Sequence, residues 1–273
     1  MDFKQLGSTP VQVPAVGIGT WEMGGGISPD TSGDAGCVRA LRKAIELEMT
    51  LIDTAEKYAD GHAEELVGEA IQPFPREQLF VVSKVWPDHL KYDEVLKAVE
   101  RSLKRLRIDR LDLYLIHHPN PDVPLKETVA AMEKLVEQGM TRFIGVSNFN
   151  VSQMEEARSC LSKNEIVVNQ LPYNLLDREI EKETLPYCQK NQITVMAYWP
   201  LAKGRLAGNK YLNEIGKKYG KTAAQVAINW LIAREGVLAI PKAVKIEHLE
   251  QNAGAAGWRL SDEDIESISD RVR

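Results

Sequence analysis

The sequence predicts a single (β/α)8 barrel, and three observations carry that prediction. Eight short apolar runs rich in Val and Ile alternate with segments of helical spacing, the order expected of a parallel sheet covered by helices. The chain has 273 residues, close to the roughly 250 that one such barrel uses. No linker rich in Pro, Gly or Ser and no low-complexity segment divides it, so residues 1–273 read as one domain. An open, doubly wound sheet is the competing reading of the same alternation; eight strands favour closure.

The elements follow in order. Phe3–Gly7 and Val11–Val13 flank Ser8-Thr9-Pro10 and read as a small hairpin that plugs the barrel floor. The eight barrel strands are then Val16–Thr20, Thr50–Asp53, Leu79–Val85, Leu111–His117, Phe143–Asn148, Val167–Pro172, Thr194–Pro200 and Leu238–Pro241. Asp34 is placed to cap a first helix running towards Leu47. Lys91–Arg107 carries Val95, Leu96, Val99, Leu103 and Leu106 on one face. Asn150 or Ser152 caps the helix after the fifth strand. Gly220 stops a helix, Thr222 caps the next (Ala223–Arg234), and Ser261 starts a short last one. The glycine-rich segment Glu22–Ser32 fits a flexible flap or a solvated loop.

Composition narrows the function classes. Hydrophobic residues make up 44% and charged residues 27%, which suits a globular protein with a sizeable core. A net charge of -5 and a pI near 5.7 argue against nucleic-acid and anionic-membrane partners. No apolar run reaches about 18 residues, so no membrane span is expected. The opening MDFKQLGSTP lacks the basic and apolar regions of a secretion signal. Cys37, Cys160 and Cys188 are too few and too scattered for a disulfide framework, which points to a reduced, cytoplasmic setting.

In a barrel of this kind the chemistry sits at the C-terminal ends of different strands. Those ends are polar here: Asp53 with Tyr58 five residues on, Lys84, His117-His118, Ser147-Asn148, Asn169-Gln170 and Tyr198. A phenol is a poor acid at neutral pH, and a neighbouring ammonium such as Lys84 favours the phenolate and lowers its pKa. Asp53 can pair the lysine, and a histidine can donate to a carbonyl oxygen as negative charge develops there. The set fits proton donation to a carbonyl receiving hydride, with no metal. Read alone, each residue has a blander role. Asp53-Thr54 also fits a helix cap, Tyr58 a loop tyrosine, and the two histidines core and rim positions or metal ligands. No second cluster with ligand spacing accompanies those histidines.

Two short motifs mislead. Gly17-Ile18-Gly19 lacks the third glycine of a dinucleotide fingerprint, and Gly220-Lys221-Thr222 has Ile215 where a phosphate loop has glycine. Two other functions use the same residues. Lys84 as a Schiff-base nucleophile would make an aldolase or lyase. A barrel that binds NADPH without turnover would be a sensor.

The runs Ile52-Asp53-Thr54-Ala55-Glu56-Lys57-Tyr58, Val82-Ser83-Lys84-Val85-Trp86, Asp112–Pro119 (DLYLIHHP) and Ile144–Phe149 (IGVSNF) resemble signatures of the aldo-keto reductase family. Gly61–Gly68, Val168–Asn174, Ala197–Leu201 and Ile240–Lys242 resemble its other blocks, in order, so the likeness spans Val16 to about Asn252. The resemblance implies a barrel enzyme that reduces small-molecule carbonyls, acting as a monomer. It implies a tetrad with Tyr58 as general acid, Lys84 as its modulator, Asp53 as the partner of Lys84 and His117 as the carbonyl-orienting donor. Ser147, Asn148 and Gln170 would bind the nicotinamide carboxamide and Tyr198 would stack on its ring. Leu201 would lie along the pyrophosphate and Gly19-Thr20 near the nicotinamide. Trp21, Trp86 and His118 would line the substrate side, His118 standing where the family often has tryptophan.

At the adenine end the sequence departs from the family pattern. Lys242 and Asn252 remain, but Ala243 replaces a serine, His248 an arginine and Gln251 a glutamate. Losing a guanidinium and a hydroxyl removes hydrogen bonds worth roughly 1.5–3 kcal/mol each. NADPH is the implied cofactor, with dual use of NADH as the alternative. The short connections after His117 and Pro200 and the short tail imply an open pocket for small or aromatic aldehydes, α-dicarbonyls or sugar-derived carbonyls.

Overall fold

Residues 1–272 are described by a computed structural model. The hairpin comes first: β1 (Phe3–Gln5) pairs antiparallel with β2 (Gln12–Pro14), Phe3 opposite Pro14. Eight parallel strands follow: β3 (Ile18–Gly19), β4 (Leu51–Asp53), β5 (Phe80–Val85), β6 (Leu111–Ile116), β7 (Thr141–Ser147), β8 (Ile166–Pro172), β9 (Thr194–Tyr198) and β10 (Val237–Ala239). Each is hydrogen-bonded to the next in chain order. The helices are α1 (Asp34–Glu46), α2 (His62–Ile71), α3 (Tyr92–Leu106), α4 (Leu125–Glu137), α5 (Val151–Cys160), α6 (Thr184–Lys190), α7 (Lys210–Tyr219), α8 (Ala223–Ile232), α9 (Ile246–Ala253) and α10 (Asp262–Arg271).

The sheet closes on itself. Gly17 N donates to Ala239 O at 2.8 Å, Ala239 N to Ala15 O at 2.9 Å, and Gly19 N to Pro241 O at 3.2 Å. Closure leaves no sheet edge to pair with another chain. The seam needs glycine: a Cβ at Gly17 would lie 2.6 Å from Leu51, and one at Gly19 would lie 2.9 Å from Ile240 O.

Strand periodicity divides the core into two layers. Leu51, Phe80, Val82, Leu113, Leu115, Val168, Met196 and Leu238 fill the barrel interior, while Ile52, Val81, Tyr114, Ile116 and Val195 pack beneath the helices. Leu6 and Val13 of the hairpin segment join the interior group, so the hairpin closes one end of the barrel as expected.

The caps follow the sequence with one correction. Asn150 and Thr222 form capping boxes with Gln153 and Gln225, Ser261 caps α10, and Gly220 ends α7 in the left-handed conformation. Asp34 is not a cap. It is the first residue of α1, after Gly33, and its carboxylate accepts instead from His62 Nε2 at 2.9 Å. Burial opposes charge on His62, but its hydrogen bonds to Glu65 and Asp34 outweigh it and raise its pKa.

Candidate active site

The two-residue period of the strands aims the polar set. Leu51 points inward, so Asp53 does too; Val82 inward sets Lys84 inward; Leu115 sets His117, Val168 sets Gln170 and Met196 sets Tyr198. All five lie where strands end, so one parity rule gathers them at one mouth of the barrel. The same rule turns Asn169 outward, where its amide donates to Phe149 O at 2.9 Å.

Lys84 is fully buried and donates three hydrogen bonds: to Asp53 Oδ2 at 2.9 Å, Thr54 O at 2.8 Å and Tyr58 Oη at 3.1 Å. An ammonium has three hydrogens, and all are committed. Burial works against its charge, but Asp53 and Tyr58 prevail and hold its pKa above the usual lysine value. Tyr58 reaches this partner through a tight reversal in which Ala59, Asp60 and Gly61 all have positive φ. Its phenol departs from the sequence expectation. Burial pushes its pKa up, Lys84 pulls it down, and burial wins, so it lies above its ordinary value. The proton therefore stays on the oxygen at neutral pH.

His117 meets Tyr58 edge-on, ring centroids 5.6 Å apart, and Trp86 at 5.1 Å. Its Nδ1 is buried without a partner, which leaves Nε2 as the nitrogen that reaches the cleft. Burial, Lys84 and His118 push its pKa down to about 2, so the imidazole is neutral. His118 stacks on it at 5.0 Å with 13° between the rings.

A second polar strip continues from this group. Gln170 Nε2 donates to Asp53 Oδ1 at 2.7 Å, and Ser147 Oγ donates to Gln170 O at 3.0 Å. Asn148, at φ 63°, donates to His117 O at 3.0 Å and accepts from Tyr198 Oη at 2.9 Å. The Gln170–Asp53 bond was not legible in the sequence; it joins the strip to the proton-handling group.

A cleft of about 740 Å³ runs over both sets. Its walls include Gly19, Trp21, Asp53, Tyr58, Trp86, His117, His118, Ser147, Asn148, Gln170, Tyr198, Leu201, Lys242, His248, Gln251 and Asn252. Two sequence-selected residues lie beneath it. Lys84 lies behind Tyr58, to whose Oη it donates, and Thr20 is buried with its hydroxyl donating to Asp53 O at 3.0 Å, so it pins the strand end and does not line the cleft. Sequence reasoning passed over Lys57, Ile27, Trp199 and Lys203, which also line it. Trp199, Ala202 and Lys203 adopt positive φ in the turn after β9, a feature that non-glycine residues do not advertise.

Glu56 steadies the aromatic wall. It is buried, and accepts from Trp86 N at 2.7 Å and His89 Nδ1 at 2.9 Å. The Glu22–Ser32 segment is a tied loop: Met23 is buried, Asp30 N donates to Gly24 O at 2.7 Å, and Ala59 N donates to Gly26 O at 2.9 Å. Among the described residues no cluster of three His, Cys, Asp or Glu side chains could hold a metal ion.

Comparison with known proteins agrees with this arrangement. A sequence model of the aldo/keto reductase family matches residues 15–272. The chain belongs to the aldo/keto reductase family. It is an NAD(P)H-dependent oxidoreductase acting on carbonyl groups. Methylglyoxal reductase YeaE of Escherichia coli is 47% identical over 94% of this chain and 90% of its own length. The crystal structure of a thermostable aldo-keto reductase, Tm1743, in complex with the inhibitor epalrestat superposes with a TM-score of 0.95 at 48% identity, covering 99% of both chains. An aldo-keto reductase from Klebsiella pneumoniae in complex with NADPH gives 0.91 at 41% identity, covering 100% of this chain and 96% of that one. No helix among the described residues is long and apolar enough to cross a membrane.

Proposed function

We propose that this aldo-keto reductase uses NADPH to reduce small aldehydes and α-dicarbonyls, with Tyr58 as the general acid. The observation that carries the assignment is Lys84, whose ammonium joins Asp53, Thr54 O and the Tyr58 phenol at the foot of an aromatic-walled cleft. When bound, NADPH supplies the hydride that reaches the carbonyl carbon. Ser147, Asn148 and Gln170 offer amide and hydroxyl groups suited to its carboxamide, and Tyr198 offers a ring for stacking. Leu201 lines the same cleft, and Lys242 and His248 on its wall offer donors for phosphate. The donor set fits this cofactor.

The chain's own residues manage the proton. His117, neutral and with Nε2 toward the cleft, donates to the carbonyl oxygen and places it beside Tyr58. Tyr58 Oη gives its proton to that oxygen as negative charge builds there, and the Lys84 ammonium stabilises the phenolate left behind. Asp53 keeps Lys84 charged and, through Gln170, fixes its own carboxylate. Trp21, Trp86 and His118 enclose the substrate and exclude water.

The geometry speaks against a Schiff-base enzyme: a nucleophilic lysine needs a neutral, free amine, and here all three hydrogens are donated and the charge is reinforced. The assembled tetrad favours turnover over a sensor. A cytoplasmic monomer fits three unpaired cysteines and few exposed large apolar side chains, of which Ile27 and Trp199 belong to the cleft. The experiment is reduction of methylglyoxal with NADPH carrying deuterium at both hydrogen positions of the nicotinamide C4. Deuterium in the product alcohol supports the assignment; product free of deuterium, or cofactor binding with no turnover of any reactive aldehyde, removes it.

A further inference from the structure

Lys57 immediately precedes the proposed acid and lines the cleft, with its Nζ 5.6 Å from the centroid of the Trp86 ring. The same indole lies 5.1 Å from His117. The ammonium and the carbonyl-orienting imidazole therefore flank one aromatic wall.

Two carboxylates near Lys57 in the chain are engaged elsewhere, and exposed Asp60, whose backbone N donates to Lys57 O, forms no ion pair with it among the described residues. Glu56 turns towards Trp86 N, His89 and Arg101, and Asp53 is held by Lys84 and Gln170. Glu22 is a further carboxylate on the cleft wall, and no ion pair joins it to Lys57 among the described residues. An indole face attracts a cation without neutralising it, so the full charge remains for a ligand. Of the other cleft lysines, Lys203 lies over the Trp199 ring at 4.1 Å, and Lys242 lines the cleft next to Pro241 in the chain.

We propose that Lys57 makes this cleft prefer carbonyl substrates that also carry a carboxylate, held about one ring's width from the reacting carbon. The proposal rests on the reductase assignment above and sharpens its substrate class. A partly enclosed cleft concentrates the field of a single cation, and the ammonium contributes attraction to the substrate anion without touching the reacting atoms.

The test compares 4-carboxybenzaldehyde with benzaldehyde, because an ionised para carboxylate activates the aldehyde little more than hydrogen does and benzaldehyde carries no charge. At low salt the acid should exceed benzaldehyde in kcat/KM by about fivefold, through a lower KM, as an exposed ion pair allows. Lys57→Met should bring the acid-to-benzaldehyde ratio close to one, Lys57→Arg should restore most of it, and added salt should erode it in the parent enzyme. Equal kcat/KM for the two aldehydes in the parent enzyme, or a ratio unmoved by Lys57→Met, overturns the proposal. Reduction of neither aldehyde would overturn the reductase assignment itself, and with it this inference.

Discussion

The two ends of the cleft are built differently. At the end that holds Tyr58, most polar groups satisfy one another, His117 Nδ1 excepted: Lys84 has three acceptors, Asp53 is held by Lys84 and Gln170, and half-buried Asn148 by His117 O and Tyr198. At the adenine end, Lys242, Lys245, Glu247 and His248 are exposed, while Ala243, Leu249 and Asn252 are buried. The first end is organised before any ligand arrives, because leaving a buried lysine or aspartate unpaired costs several kcal/mol, on the order of 3–5. The exposed side chains of the second end are not locked into such a buried network, so they can change with little folding penalty. Of the departures from the family pattern, His248 and Gln251 lie where that freedom exists, whereas Ala243 is buried.

The largest expected effect tests the organised end. Tyr58→Phe removes one hydroxyl and should lower kcat/KM for aldehyde reduction by about 1,000-fold, within the range of general acid catalysis, while the NADPH Kd changes by less than about twofold. The pH profile gives an independent reading. The acid must be protonated, and burial holds the phenol above its ordinary pKa, so reduction should stay level through neutral pH and fall only on the alkaline side. His117, pushed down to about 2, should add no limb near pH 6.5. A profile that falls through pH 6.5 would mean the imidazole is not neutral and the proton path is wrong.

Lys84→Met strikes both function and fold. It leaves Asp53 buried without its cation, so the protein should lose about 3–5 kcal/mol of stability, measured by urea denaturation, along with about 100-fold in kcat/KM. An exposed adenine-end substitution such as His248→Arg should change stability by less than about 0.5 kcal/mol. Equal stability costs at the two sites would erase the contrast.

That contrast also explains what was legible in the sequence. The eight strands and the tetrad positions could be read because an inward-pointing polar residue at the end of an apolar strand breaks a pattern. The Tyr58 shift could not, because it is a balance between burial and Lys84 that depends on depth in the cleft. Thr20 was misplaced by one step of alternation: Gly19 faces the cleft, and Thr20 turns away to hold Asp53 O. Lys57 escaped notice because a lysine in a loop is ordinary until an indole is found beside it.

At the open end, cofactor choice should respond to single substitutions. His248 and Lys242 both line the cleft, and if the cofactor lies as proposed a guanidinium at position 248 would offer two parallel donors to its 2′-phosphate. His248→Arg should tighten NADPH about tenfold and leave NADH within about twofold, read by quenching of tryptophan fluorescence. Equal tightening of both cofactors would place the new side chain on a group they share, such as the pyrophosphate.

Ala243→Ser should give the smallest change and the sharpest discrimination. Ala243 is only 5% exposed, so a new hydroxyl there has few directions to take, and crowding should leave about 1 kcal/mol, or about fivefold in NADPH Kd, of the roughly 1.5–3 kcal/mol that a hydrogen bond to a charged phosphate can contribute. If the hydroxyl meets the phosphate, its effect should be confined to NADPH and should add to that of His248→Arg when the two are combined, since each would donate to a different oxygen. If instead it turns into the packing between α1 and α9, NADPH and NADH will weaken together and the melting temperature will drop. The first outcome keeps the adenine end a surface written for its ligand, and the second would extend the organised region of the cleft as far as Ala243.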